Sequence, residues 1–137
     1  MRPAGILESA LYVDDLAAAQ VFYADVLGLD VIKPADGRQV FLRCGDGVVL
    51  IFDATETARP VDAEARFPVP PHGTTGPGHL CFRAGAEEIE AWKTRLEGHG
   101  IVIEADFTWP SGGRSIYFRD PAGNSIEFAE PNIWGIA

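Results

Sequence analysis

Basic residues are scarce in this chain. Eleven Lys and Arg stand against 20 Asp and Glu, for a formal net charge of −9 at pH 7, and no Lys/Arg cluster is present that could follow a phosphate backbone. Nucleic acid is thereby excluded as a partner, while the acidity is that of a solvated surface which in a general way favours cationic ligands. Cysteine is scarce as well. Cys44 and Cys81 are the only two; they show no CxxC spacing, which excludes a disulfide framework and a zinc knuckle and leaves two free thiols. No apolar run approaches the ~20 residues needed to span a bilayer, and the N-terminus has neither the pattern of a secretory leader nor an amphipathic Arg-rich stretch. A soluble, cytoplasmic protein without a membrane partner is expected.

What the chain does have is one structural unit written twice. Its 137 residues, 47% of them hydrophobic, suffice for one domain with a real core. Glu8-Ser9-Ala10-Leu11-Tyr12-Val13, a helical run closing at Leu27-Gly28-Leu29, and the turn Gly45-Asp46-Gly47 before Val48-Val49-Leu50-Ile51-Phe52 are answered in the second half. The counterparts are His79-Leu80-Cys81-Phe82, a helical run closing at His99-Gly100-Ile101, and the turn Asp120-Pro121-Ala122-Gly123 before Asn124-Ser125-Ile126-Glu127-Phe128. Matching landmarks lie roughly 71 to 76 residues apart, a spacing of one supersecondary unit. The expected fold class is α+β: two tandem βαβββ modules, residues 5–54 and 78–131, forming a curved mixed sheet with helices outside. Residues 55–77 read as a Pro- and Gly-rich linker long enough to cover something, and 132–137 as a tail.

Strand parity divides the residues between two faces. Ile116, Phe118, Ile126 and Phe128 are expected to face the helix, leaving Ser115, Tyr117, Arg119, Ser125 and Glu127 opposite. In the first module Val40, Leu42, Leu50 and Phe52 are placed toward the helix and Gln39, Phe41, Arg43, Val49 and Ile51 away from it. The first helix, capped by Asp14-Asp15, carries Leu16, Ala19, Val21, Phe22, Val26 and Leu27 as its apolar stripe. Strands are expected near 29–34, 39–44, 48–53, 101–107, 113–119 and 124–130, with a helix at 86–98. A sheet with one helix-covered face and one mixed polar and aromatic face is a cup, and ligands bind in such concavities.

Three side chains of that concave face carry chemistry. Glu8 and His79 occupy matching positions on the first strands of the two modules, and Glu127 lies on the last. Brought together about a pseudo-twofold axis, two carboxylates and one imidazole leave positions on a divalent cation open for water and substrate. Tyr12, Phe41, Arg43, Trp109, Ser115, Tyr117 and Arg119 are candidates to line the cup and contact substrate; Arg43 and Arg119, at matching repeat positions, either clamp a substrate anion or pair with neighbouring acids. Trp109-Pro110-Ser111-Gly112-Gly113 reads either as a mobile loop at the mouth or as a plain surface turn. Nothing marks Cys81 as a nucleophile, and His72 and His99 read as solvated.

The paired modules, the stretch from Tyr12-Val13-Asp14-Asp15-Leu16 to Phe22-Tyr23-Ala24-Asp25-Val26-Leu27-Gly28-Leu29, and Tyr117-Phe118-Arg119-Asp120-Pro121-Ala122-Gly123-Asn124-Ser125-Ile126-Glu127 resemble the vicinal oxygen chelate superfamily of glyoxalases, extradiol dioxygenases and bleomycin-resistance proteins. The resemblance covers nearly the whole chain and speaks to fold more than to reaction. It implies metal ligands at Glu8, where His is the commoner occupant, at His79 and at Glu127, with Ile51 at the position of a fourth ligand. It further implies one divalent metal ion (Fe, Mn, Ni or Zn), a small-molecule substrate chelated through vicinal oxygens, and catalytic roles for Glu8 and Glu127 in a lyase, isomerase or dioxygenase. A homodimer is expected on the same ground. The alternative is a protein of the bleomycin-resistance type that sequesters a drug or metabolite.

Overall fold

The computed structural model describes residues 1–137 and resolves them into two compact units, Met1–Gly76 and Pro77–Ala137. Both have the βαβββ order. The first contains β1 (Glu8–Val13), α1 (Leu16–Gln20), β2 (Asp30–Lys33), β3 (Gln39–Cys44), β4 (Gly47–Asp53) and the short α2 (Ala54–Thr57). The second contains β5 (His79–Arg83), α3 (Ala86–Gly98), β6 (Ala105–Thr108), β7 (Arg114–Arg119) and β8 (Ser125–Ala129), followed by a 3-10 turn at Pro131–Trp134. Each unit has its own four-stranded sheet, ordered β1-β4-β3-β2 and β5-β8-β7-β6, with the first strand parallel to the last and the rest antiparallel. The α+β reading of two βαβββ units holds. No helix is long and apolar enough to cross a membrane.

In the first unit the Asp15 carboxylate accepts the Ala18 N–H at 2.9 Å and starts α1. The helix then widens into a π-helix over Val21–Val26, with the Leu27 N–H donating to the Phe22 carbonyl five residues back. The wider turn changes which side chains point inward. Tyr23 is fully buried and Val21 is 56% exposed, so Val21 does not belong to the apolar stripe and Tyr23 does.

The hairpin between β3 and β4 corrects the expected parity of β4. Cys44 pairs with Gly47 across a two-residue turn in which Gly45 takes φ 56°, the left-handed conformation a tight hairpin needs at its first central position. That pairing sets Val40 opposite Ile51 and Leu42 opposite Val49, and all four are buried beneath the helix. The open face of β4 therefore carries Val48, Leu50 and Phe52. By the same registers, Glu8 matches His79, Val48 matches Ser125, and Leu50 matches Glu127. Leu50, not Ile51, is the repeat counterpart of Glu127; the counterpart is aliphatic in either case.

In the second unit Ile116, Phe118, Ile126 and Phe128 are buried against α3 as expected, with Trp92 stacked on Phe128 at 4.5 Å. Glu88 reaches back to accept the Gly85 N–H at 2.6 Å, closing the first turn of α3. The strand expected from residue 101 begins only at Ala105. Gly100, at φ 74°, lets the Ile101 N–H return to the Leu96 carbonyl at 2.9 Å, so Ile101 finishes the helix exit instead of opening a strand.

One ion-pair cluster braces this unit. Asp106 on β6 accepts from Arg114 Nε and Nη2, both at 2.8 Å, and from Lys93 Nζ at 2.7 Å, while Arg114 also pairs with Glu90. Hydrogen bonds from Arg114 and then Lys93 hold the Asp106 carboxyl well below the usual carboxylate range. A depressed folded pKa stabilises the fold above the unfolded carboxylate value near 4, and that stabilisation is lost as pH falls from there toward the folded pKa. Asp106→Asn is thus expected to lower stability by about 1 kcal/mol at pH 7, with the gap to wild type shrinking below about pH 4. Urea denaturation of both proteins across that range checks the sign.

Candidate metal centre

β5 and β8 pair in parallel, which sets His79 beside Ser125 and Cys81 beside Glu127 on the face away from α3. β7 adds Tyr117 opposite Glu127, and β6 adds Phe107 opposite Ser115. Polar chemistry is concentrated at His79 and Glu127. His79 Nδ1 lies 3.0 Å from the Ser125 carbonyl; a carbonyl only accepts, so Nδ1 carries hydrogen and donates, which leaves Nε2 as the free nitrogen of the neutral ring. That nitrogen faces Glu127 Oε2 at 3.3 Å. A lone pair and a carboxylate in contact repel unless a positive charge joins them, either a proton on Nε2 or a metal ion.

Glu127 sharpens the point. It is 5% exposed, and its Oε1 is buried without any hydrogen-bond partner. Burying a carboxylate oxygen unpaired is costly, and sites that bind a cation are where such a cost is retained. An imidazole held by a backbone carbonyl through its other nitrogen is also the usual arrangement of a metal-ligating histidine. The donor set fits a divalent cation of borderline or hard character.

The surrounding side chains are held, not free. Tyr117 lies stacked between His79, at 6.2 Å, and Phe107, at 5.9 Å, and Phe107 meets Trp109 edge-on at 4.8 Å. Burial first, then the hydrogen bond and charge of Glu127, push the Tyr117 phenol up to about 12. Burial of the sulfur, then the charge of Glu127, push the Cys81 thiol up to about 12 although the residue as a whole is exposed. Neither group is an anion at neutral pH, which removes Cys81 as a nucleophile.

Two expected substrate contacts of this unit are committed elsewhere. Ser115 is fully buried and accepts the Trp109 indole N–H at 2.8 Å, so it fixes Trp109 to the face. Arg119 makes a two-pronged pair with Glu104, at 2.7 and 3.0 Å, and donates to the Gly123 carbonyl. The 109–113 segment is a closed turn, with the Trp109 N–H donating to Gly113 O and the Gly112 N–H to Trp109 O, both at 2.8 Å. Phe107 is the lining residue that sequence reasoning missed; its signal was two-residue alternation with Trp109 just before the turn.

In the first unit the same face carries Glu8, Ala10 and Tyr12 on β1, Val48, Leu50 and Phe52 on β4, and Gln39, Phe41 and Arg43 on β3. Glu8 is exposed at the start of β1, the position His79 holds on β5. Tyr12 does not face open space: its hydroxyl lies 2.6 Å from His72 Nδ1. His72, expected to be solvated, is half-buried and packs edge-on against Phe52 at 4.8 Å. No three His, Cys, Asp or Glu side chains gather closely enough to hold a metal; the second unit supplies the His79–Glu127 pair.

Comparisons with known proteins agree with this architecture. The family model of the Glyoxalase/Bleomycin resistance protein/Dioxygenase superfamily matches residues 5–128. The crystal structure of a lactoylglutathione lyase from Agrobacterium tumefaciens is 46% identical, with a TM-score of 0.92 over 99% of this chain and 100% of that one. The glutathione transferase FosA of Serratia marcescens is 33% identical over 121 residues, which span 85% of this chain and 74% of the transferase. The crystal structure of an integron cassette protein from the mobile metagenome of a Halifax Harbour sewage outfall is 25% identical, with a TM-score of 0.72 over 93% of this chain and 99% of that one.

Proposed function

Since the chain belongs to the glyoxalase/bleomycin resistance protein/dioxygenase superfamily, we propose that it is a metal-dependent enzyme acting on a small substrate through two adjacent oxygens. The observation that carries this reading is the His79 Nε2 and Glu127 Oε2 contact at 3.3 Å beside the unpartnered Glu127 Oε1. His79 and Glu127 would hold the ion, and Glu8 stands at the start of β1 where His79 stands on β5. When bound, a divalent cation supplies Lewis-acid stabilisation of negative charge developing on substrate oxygens.

The chain's own residues do the rest. The Ser125 carbonyl fixes the His79 tautomer. Tyr117, Phe107 and Trp109 form an aromatic row beside the pair, with Tyr117 stacked on His79. Glu127 is buried and serves to hold, whereas Glu8 is exposed and is the better group to take a proton from the substrate carbon next to the chelating oxygens. Acetohydroxamate, which presents two adjacent oxygens, tests the reading. It should bind the manganese-loaded protein and fail to bind after EDTA treatment; equal binding to both forms would contradict chelation through a metal.

The second reading, sequestration of a drug or metabolite without turnover, is favoured by one observation, the large cavity of the first unit. We further propose a homodimer, because Trp134 and Ile136 leave apolar surface exposed on the C-terminal tail. Sedimentation as a monomer at tens of micromolar would exclude it.

A further inference from the structure

The cavity of the first unit has a volume of about 1300 Å³, and its floor is an ordered array. Strand registers lay out three cross-strand rows on it: Glu8, Val48 and Arg43; then Ala10, Leu50 and Phe41; then Phe52 and Gln39. Charge is confined to the first row, the middle row is wholly apolar, and the last is aromatic with one amide. The facing wall comes from the 59–72 segment, which contributes Val61, Phe67 and Val69. That strap is fastened to the sheet by His72, through the Tyr12 hydroxyl at 2.6 Å, the Phe52 ring at 4.8 Å, and its own N–H donating to the Thr57 carbonyl. Phe67 is nevertheless 73% exposed and Val69 56%, which is apolar surface a ligand can cover.

Some polar groups of the cavity are committed, Glu56 to Arg59 at 2.9 Å and His72 to Tyr12 at 2.6 Å, but Arg43 is not. Arg119, the repeat counterpart of Arg43, is occupied by Glu104. Arg43 closes no ion pair, although Asp30 is its register partner on β2. Gln39 is 9% exposed, at the opposite end of the floor from Arg43. An uncommitted guanidinium at one end of an apolar trough selects an anion with an apolar body.

We propose that this cavity binds a molecule with an aromatic or branched aliphatic body and one anionic group, the body lying over Leu50 and Phe41 and the anion meeting Arg43 beside Glu8. The inference deepens the enzymatic reading, because Glu8 is there assigned to the reacting end of the substrate. It also stands on geometry that requires no metal, so the two can fail separately.

Isothermal calorimetry in excess EDTA, with 4-phenylbutyrate, 4-phenyl-1-butanol and butyrate as probes of the full chain, tests it. 4-Phenylbutyrate should bind one to one, with the alcohol and butyrate each weaker by roughly tenfold or more. Arg43→Gln should erase the difference between acid and alcohol, and Leu50→Asp should weaken all aromatic probes. If Leu50→Asp does not fold, Phe41→Ala carries the same test. Equal affinity for acid and alcohol, or an acid-to-alcohol ratio unmoved in Arg43→Gln, overturns the assignment of the anion; affinity unmoved in Phe41→Ala overturns the assignment of the body. Metal binding at His79 without any 4-phenylbutyrate binding would defeat this inference alone. The converse result would defeat the metal reading and leave the cavity's specificity standing.

Discussion

His79→Ala is expected to lower divalent-metal affinity by more than about a hundredfold, beyond what loss of an outer-shell partner costs. It removes the nitrogen whose orientation the Ser125 carbonyl fixes at 3.0 Å and which faces Glu127 at 3.3 Å. Glu127→Gln gives the more telling result, because stability and affinity should move in opposite directions. In the metal-free protein the Glu127 side chain sets one oxygen 3.3 Å from His79 Nε2 and buries the other unpaired. At a pH where the imidazole is neutral, an amide in its place donates N–H to Nε2 and buries no charge, so the metal-free fold should there gain about 1 kcal/mol. Metal affinity should collapse at the same time, since a neutral amide oxygen is a far poorer ligand than a carboxylate. Metal titration and urea denaturation of the same two variants check both arms; a Glu127→Gln variant that loses stability in the metal-free form at that pH would show the carboxylate to be an ordinary structural group.

Asp120→Ala is expected to cost about 3 kcal/mol or more, the largest stability loss we predict. Asp120 is buried in the turn between β7 and β8. Its Oδ1 accepts the N–H groups of Ala122 at 3.0 Å and Asn124 at 2.8 Å, and its Oδ2 accepts the Asn124 amide at 2.9 Å. Asn124 in turn accepts the Gly78 N–H at 2.7 Å, and Gly78 immediately precedes His79. Removing the carboxylate leaves several buried donors unpaired and loosens the start of β5, so metal affinity should fall by about ten- to a hundredfold along with stability. Asp36→Ala supplies the comparison. Asp36 accepts two backbone N–H groups in the same manner, at 3.0 Å each, but in an exposed turn, and its loss should cost about 1 kcal/mol or less. Equal losses in the two variants would refute the role assigned to burial.

The Asp120 turn is also where the sequence was most legible. Asp120-Pro121-Ala122-Gly123-Asn124 combines turn formers with two side chains that satisfy backbone groups, and the strands on either side alternate cleanly, so the parity of Ser115, Tyr117 and Glu127 followed directly. β4 was less legible for a definite reason. Val48-Val49-Leu50-Ile51-Phe52 is apolar throughout, alternation is invisible in it, and only the two-residue turn at Gly45-Asp46 fixes which residues face the helix. The role of His72 lay beyond local patterning: it meets Tyr12 from 60 residues away, out of a Pro-rich segment without periodicity. Residue type placed His79 and Glu127 among the candidates. Their direct contact, the orphaned oxygen and the tautomer came from the structure, because they depend on the parallel register of β5 with β8.

The measurement that bears most directly on the proposed centre is X-ray absorption at the metal edge of the nickel-loaded protein, in wild type and in His79→Ala. The chain has three histidines, and His72 and His99 take no part in the proposed ligand set. We predict a single imidazole among oxygen ligands in wild type and its complete loss in His79→Ala. Two or more imidazoles in wild type, or an imidazole retained in the variant, would contradict the assignment of His79 and Glu127 as the metal-holding pair.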